Sequence, residues 1–185
     1  LAQLAKYIPH LKEAKFYGGE PFLISIYYKI WDRVKELNPN LDMFVITNGS
    51  HWNSKIEKLV NELNFDVAVS IDAYDKEKVE RIRKNVVYEK LIDNIHRFSE
   101  ICNRKGKHLS LSFTVQKDNW EQLPLIINLC NKVNAYIYVS YLERPIQFVL
   151  TTLPKEELKR VRQYMEQFTF PKLTQKERHN AKCFE

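Results

Sequence analysis

No run of apolar residues in this 185-residue chain exceeds about five or six, far short of the roughly 20 that a membrane-spanning helix needs. The start shows no basic segment followed by an apolar core and a cleavage site, so no secretory signal is read. Cysteine is scarce: Cys102, Cys130 and Cys183 share no paired spacing, which points to a reducing compartment and a cytoplasmic location. The five histidines are scattered, with no His-x-x-x-His pair for zinc. Serine-hydrolase and P-loop motifs are absent, and Gly18-Gly19 lacks the third glycine of a dinucleotide fingerprint.

The charge is of one sign on balance only. A formal net charge of +6 and a pI near 9.1 raise the possibility of a polyanion partner. The cations are interrupted by acids, as in Lys55-Ile56-Glu57-Lys58 and Asp75-Lys76-Glu77-Lys78. They read as solvated helix faces, and neither a nucleic-acid nor a membrane partner is expected. With 44% hydrophobic and 28% charged residues, the composition is that of a globular domain with a real core.

Short β-rich runs alternate with amphipathic helices. Residues 1–11 read as a helix through Leu1, Leu4, Ile8 and Leu11. A strand at 14–17 leads to a helix over 22–37, with Phe22, Leu23, Ile26, Tyr27, Ile30, Trp31 and Val34 on its inner face. Strands follow at 42–47, 65–71, 109–115 and 135–140, with helices near 56–63, 75–84, 88–103 and 119–133. Cys102 and Cys130 fall in apolar helical stripes, as small hydrophobes do. Pro154 opens what reads as a last helix near 155–168, and from Pro171 the chain reads as a polar tail or linker. Repeated strand–helix units imply a parallel α/β sheet, because parallel neighbours need a crossover. An open doubly wound sheet and a (β/α) barrel both satisfy this pattern, and both place ligands at the carboxyl ends of the strands.

Those ends carry small and hydrogen-bonding residues. The first ends in Gly18-Gly19-Glu20-Pro21, where two glycines permit a tight turn and Glu20 adds a carboxylate beside exposed carbonyls. Such acceptors suit an ammonium group, whereas a plain turn with an acid at a helix start is the structural alternative. The second ends in Thr47-Asn48-Gly49 and the third in Ser70-Ile71-Asp72-Ala73, with Ser70 and Asp72 on one side of the strand. A turn at Asn48-Gly49 and a helix cap at Asp72 or Asp75 are the corresponding alternatives. Thr114 and Gln116 end the fourth strand, and Ser140, with Glu143 beyond, ends the fifth.

Phe16 to Phe22, with its Gly18-Gly19-Glu20, resembles the motif after the second strand of radical S-adenosylmethionine (radical SAM) enzymes. Ile46 to Gly49 resembles their third-strand end, and Val69 to Ala73, with Lys76 to Arg83, their fourth unit. The resemblance covers roughly Leu11 to Leu153. It implies strands 2–6 of a six-unit partial (β/α) TIM-like barrel over residues 1–170. Residues 171–185 would be a tail or the start of a C-terminal region of the SPASM or twitch type. It further implies a [4Fe-4S] cluster on a Cys-x-x-x-Cys-x-x-Cys loop. One-electron cleavage of S-adenosylmethionine there yields a 5′-deoxyadenosyl radical that abstracts hydrogen from a peptide or small substrate. Electrons would come from a reductase or flavodoxin-type donor. By resemblance Gly18, Gly19 and Glu20 receive the methionine ammonium, and Asn48 belongs to the same cofactor-binding set. Ser70 and Asp72 lie near the ribose or carboxylate, Arg83 (or Arg81) pairs with the carboxylate, and Thr114 or Gln116 lies near the nucleoside.

The cysteine loop itself is missing, since the first cysteine is Cys102 on a helix. The start at Leu1 is read as a truncation just downstream of that loop, so this chain alone is expected to be inert. Cys183 is a candidate ligand of an auxiliary cluster, with an ordinary free thiol as the alternative. A non-catalytic α/β nucleoside-binding domain without a cluster is the second reading of the function.

Overall fold

The computed structural model describes residues 2–184. Leu1, counted in the first expected helix, and Glu185, at the end of the expected tail, lie outside the described residues. Five strands, β1 (Glu13–Phe16), β2 (Asp42–Thr47), β3 (Phe65–Ser70), β4 (Leu109–Val115) and β5 (Tyr136–Tyr141), form one open parallel sheet in the order β1-β2-β3-β4-β5. Strands taken in chain order without a reversal are the winding of a barrel, not of a doubly wound sheet, which decides between the two architectures left open above. The chain divides into two compact units, the first running to Val69 and resuming over Glu89–Leu109, the second comprising Ser70–Tyr88 and everything from Ser110 onward.

In the first unit the expected helix over 1–11 is not continuous. Helix α1 covers Ala2–Ala5, and a separate 3-10 turn spans Ile8–His10. Pro9 accounts for the break, because its ring cannot donate and clashes with the preceding turn. Asn38, just past helix α2 (Ser25–Leu37), donates from Nδ2 to the carbonyls of Ile8 at 3.0 Å and Leu11 at 3.1 Å, holding this segment down. The α2 segment is likewise split, by a 3-10 turn over Pro21–Leu23, and the turn swings Leu23 and Ile26 outward to 60% and 44% exposure. Trp31 of α2 is wholly buried, with Phe16, Phe22, Tyr28 and Phe65 ringed around it at centroid distances of 5.0–5.9 Å. Aromatic burial of this kind dominates core energetics. Helix α3 (Ser54–Glu62) buries Ile56, Leu59 and Val60 as expected. The next two helices, α4 (Lys76–Ile82) in the second unit and α5 (Tyr88–Arg104), most of it in the first, lie where helices were expected near 75–84 and 88–103; Ile92 of α5 is half-buried. Lys105 caps α3 from across the unit, its ammonium 2.8 Å from the carbonyls of Val60 and Asn61, where the helix dipole favours a cation.

Strand β4, which belongs to the second unit from Ser110 onward, alternates strictly, burying Leu109, Leu111, Phe113 and Val115, while helix α6 (Leu123–Lys132) of the second unit buries Ile126, Ile127 and Cys130. Helix α7 (Lys155–Met165) follows Pro154. It is not the last helix: residues expected to be a tail form α8 (Gln175–Lys182), opened by a capping box between Thr174 and Glu177. α8 holds to β5 through polar groups. Fully buried Asn180 accepts from the Ile137 N–H at 2.8 Å and donates to the Ala135 carbonyl at 3.0 Å, while His179 Nε2 lies 3.0 Å from the Ile137 carbonyl. These bonds satisfy backbone groups on the rim of β5, which unpaired would invite association with another chain.

Replacing Asn180 by Ala leaves buried backbone groups without partners. The expected cost is about 2–4 kcal/mol, read by urea unfolding together with faster amide exchange at Ile137; unchanged exchange there would show that α8 does not hold β5.

Candidate functional site

The candidate residues of the first unit converge on one carboxylate. After β1 the chain turns through Gly18 and Gly19, with φ of +91° and +61°. A side chain at Gly18 would meet nothing within 4 Å, so backbone conformation, not crowding, calls for glycine there. Both glycines are exposed. Glu20 then caps the 3-10 turn, its Oε1 accepting from Phe22 N at 3.2 Å. The same Oε1 accepts from the Thr47 hydroxyl at 2.8 Å, and Oε2 accepts from Asn48 N at 2.7 Å. Glu20 therefore ties the end of β1 to the end of β2, and its carboxylate is already engaged by three donors. Thr47 is 2% exposed and relays onward, accepting from Gly49 N at 3.1 Å. Gly49 has φ of +69°, and a Cβ there would lie 2.6 Å from Leu91 and 2.7 Å from Val69, so a close approach demands this glycine. Asn94 Nδ2 donates to its carbonyl at 2.8 Å. The Asn48-Gly49 turn and the Glu20 cap offered as structural alternatives are thus present.

Tyr28, on α2, donates its hydroxyl to the Phe22 carbonyl at 2.9 Å beside the Glu20 turn. Burial first, and then the charge of Glu20, raise its phenol above the ordinary 10.0. A raised value in the fold means that the stability from neutral Tyr28 is whole below pH 10 and is lost as pH climbs through the raised value. Tyr28→Phe is expected to flatten the fall of stability above pH 10, measured by urea midpoints across alkaline pH; an unchanged slope would contradict the assignment.

In the second unit Asp72 and Arg83 form the central pair. Arg83 Nε lies 2.8 Å from Asp72 Oδ2, with the two side chains 19% and 13% exposed. The Nε–H is not aimed at that oxygen and has no hydrogen-bond partner, so the contact is an ion pair by distance. Arg81 points to solvent, leaving Arg83 as the arginine beside Asp72. The cap of α4 is Asp75, whose Oδ1 accepts from Lys78 N at 3.0 Å, and not Asp72. Ser70 is the last, half-buried residue of β3. Thr114 Oγ1 and Ser140 Oγ sit 3.1 Å apart on paired positions of β4 and β5. A cavity of about 320 Å³ is lined by Val115, Tyr141, Leu142, Glu143, Val149 and Leu150, its strand residues Val115 and Tyr141 facing away from the side of the sheet that carries Thr114 and Ser140.

Two amides that carry no recognised motif hold these strand ends. Asn119 is fully buried; its Nδ2 donates to the carbonyls of Asp72 and Thr114, each at 2.9 Å, and its Oδ1 accepts from Gln116 N at 2.8 Å. Gln122 Oε1 accepts from Tyr74 N and Asp75 N, both at 3.1 Å. Neither amide was singled out from the sequence, because nothing in the chain tells a buried amide from an exposed one. Asn119→Ala is expected to cost about 2–4 kcal/mol by orphaning buried groups, read by urea unfolding; a loss near zero would show the clamp to be dispensable.

The thiols do not assemble. Cys102 and Cys130 are buried on α5 and α6, and Cys183 is half-buried, 3.4 Å from His179. Burial pushes the Cys130 and Cys183 thiols up, away from the thiolate form that binds metal. Among the described residues no group of three or more His, Cys, Asp or Glu could hold a metal ion. These residues therefore do not fit an iron–sulfur cluster.

Over residues 1–130 the sequence matches the family model of the radical SAM superfamily, and the chain belongs to that superfamily. No curated protein matches it. Among solved structures it is similar to SuiB of Streptococcus suis bound to S-adenosylmethionine, with TM-score 0.62 and 15% identity over 84% of this chain and 34% of that one. SuiB has also been solved bound to the precursor peptide SuiA. A domain of a pyruvate-formate lyase-activating enzyme from Bacteroides vulgatus gives TM-score 0.58 and 14% identity over 83% of this chain and 92% of that one. The radical S-adenosylmethionine methyltransferase TsrM of Kitasatospora setae, with cobalamin and a [4Fe-4S] cluster bound, gives 0.55 and 14% over 76% and 29%. At such identities the likeness is one of fold. The chain spans about a third of the length of SuiB.

Proposed function

We propose that this chain is the cofactor-facing part of an enzyme that reductively cleaves S-adenosylmethionine and abstracts hydrogen from a peptide or small substrate. The observation that carries this reading is the Gly18-Gly19-Glu20 turn, within the stretch that matches the superfamily. Gly18 and Gly19 are exposed, and among the described residues no hydrogen bond occupies their carbonyls. Two free carbonyl acceptors beside a carboxylate suit the three donors of the methionine ammonium. Glu20 orients that turn by its bonds to Thr47 and Asn48 and places negative charge behind it.

In the second unit Ser70 and Asp72 offer acceptors to ribose hydroxyls, with Arg83 balancing the charge of Asp72. Thr114, paired with Ser140 across β4 and β5, is the residue placed near the nucleoside in this reading. Bound S-adenosylmethionine would supply, on one-electron cleavage, the radical that takes hydrogen from substrate. The cluster that delivers the electron has no ligands among the described residues, and its thiolates belong to another part of the intact protein. A reductase or flavodoxin-type donor is the expected electron source, and a peptide substrate is in keeping with the peptide seen on SuiB. Among the described residues no helix is long and apolar enough to cross a membrane, and a cytoplasmic site of action is part of this proposal.

The test is the intact protein, reconstituted with iron and sulfide without oxygen and reduced with dithionite. It is expected to form 5′-deoxyadenosine, whereas the 185-residue chain forms none. Asp72→Asn in the intact protein is expected to raise KM for S-adenosylmethionine by about tenfold, near the worth of one charged hydrogen bond. Cleavage absent from the reconstituted protein would overturn the proposal, and binding without cleavage would favour the non-catalytic nucleoside-binding alternative.

A further inference from the structure

We infer that His51 is a ligand-facing hydrogen-bond acceptor at the carboxyl end of β2, held in one tautomer by a relay through Ser50 and Asn48. The inference rests on the reading of the strand ends as the ligand-binding side, and it concerns Ser50 and His51, which this reading leaves unused.

The relay is anchored where Asn48 N donates to Glu20 Oε2 at 2.7 Å. The side chain of Asn48 folds back, its Oδ1 accepting from Ser50 N at 2.8 Å. That bond fixes which amide atom faces Ser50, because an amide NH₂ could not accept it. Ser50 Oγ lies 2.6 Å from the same Oδ1. A carbonyl oxygen carries no proton, so the hydroxyl proton lies on this line. A hydroxyl has a single proton, and Ser50 Oγ also lies 2.6 Å from His51 Nδ1. The proton between them therefore belongs to the ring, and Nδ1 is the protonated nitrogen. The opposite tautomer would leave the Ser50 and Asn48 oxygens 2.6 Å apart with no proton between them.

A neutral imidazole protonated on Nδ1 presents a bare lone pair on Nε2. His51 is exposed, whereas Asn48 and Ser50 are half-buried, so the relay is packed and the acceptor is free to meet a ligand. The chemistry it recognises is a donor: a hydroxyl or an ammonium group, not a carbonyl or a carboxylate.

The direct test is a long-range proton–nitrogen correlation spectrum of the 185-residue chain labelled with ¹⁵N-histidine, at about pH 9, above the ordinary histidine titration. His51 is expected to show a protonated Nδ1 and a bare Nε2, and Ser50→Ala is expected to return it to the Nε2–H form. An Nε2–H ring in the unaltered chain, or a ring indifferent to Ser50→Ala, would overturn the inference. In the reconstituted intact protein, His51→Gln should leave S-adenosylmethionine cleavage within about twofold of the parent. A loss of about tenfold or more would overturn the assignment by making His51 part of the cofactor machinery. Failure of the parent protein to cleave S-adenosylmethionine counts against the proposed function alone, and the tautomer spectrum still decides His51.

Discussion

The Glu20 carboxylate is the contact from which the first unit's strand ends take their form. It receives a backbone N–H from its own turn, a hydroxyl from Thr47 and a backbone N–H from Asn48, all at 2.7–3.2 Å. Charge-assisted bonds of this kind are roughly twice as strong as neutral ones, and the two oxygens between them accept all three. Glutamine would keep one acceptor oxygen and set an NH₂ against a donor. A turn with two left-handed glycines has no stiffness of its own, so its conformation depends on this anchor. The second unit reaches the same end with a neutral group: the Asn119 amide spans the carbonyls of Asp72 and Thr114. One strand end is thus organised by charge at a half-buried position, the other by an amide sealed from water, where an unpaired charge would be too costly.

The described strand ends carry backbone carbonyls, hydroxyls and a carboxylate–guanidinium pair. They offer no thiolate set. Superfamily membership and a fold shared with SuiB place these strand ends in a known architecture, and the substrate is a property of the whole protein.

Much of the fold was legible because β-rich runs alternate with amphipathic helices, and the first three strands are closed by Gly18, Asn48 and Asp72. Periodicity alone left the barrel and the doubly wound sheet unresolved, and the strand order decided between them. The first helix was misread because spacing by three and four ran through Pro9, where backbone chemistry overrides apolar pattern. The stretch beyond Pro171 was misread because α8 is attached by Asn180 and His179 rather than by an apolar stripe. Its Thr174-x-x-Glu177 capping box was nonetheless visible in the chain. At the site, the glycines and acids stood out, whereas the partner of Glu20 on β2 and the clamp at Asn119 depend on bonds that span 27 and 47 residues. Separations of that length leave no local signature.

The central claim is that the strand ends described here serve a cluster held by another part of the same protein. The coding sequence upstream of Leu1 tests it most directly. The account predicts an in-frame Cys-x-x-x-Cys-x-x-Cys within a few tens of codons. A reading frame that begins without those cysteines would contradict it, and would leave a nucleoside-binding relative of the superfamily in its place.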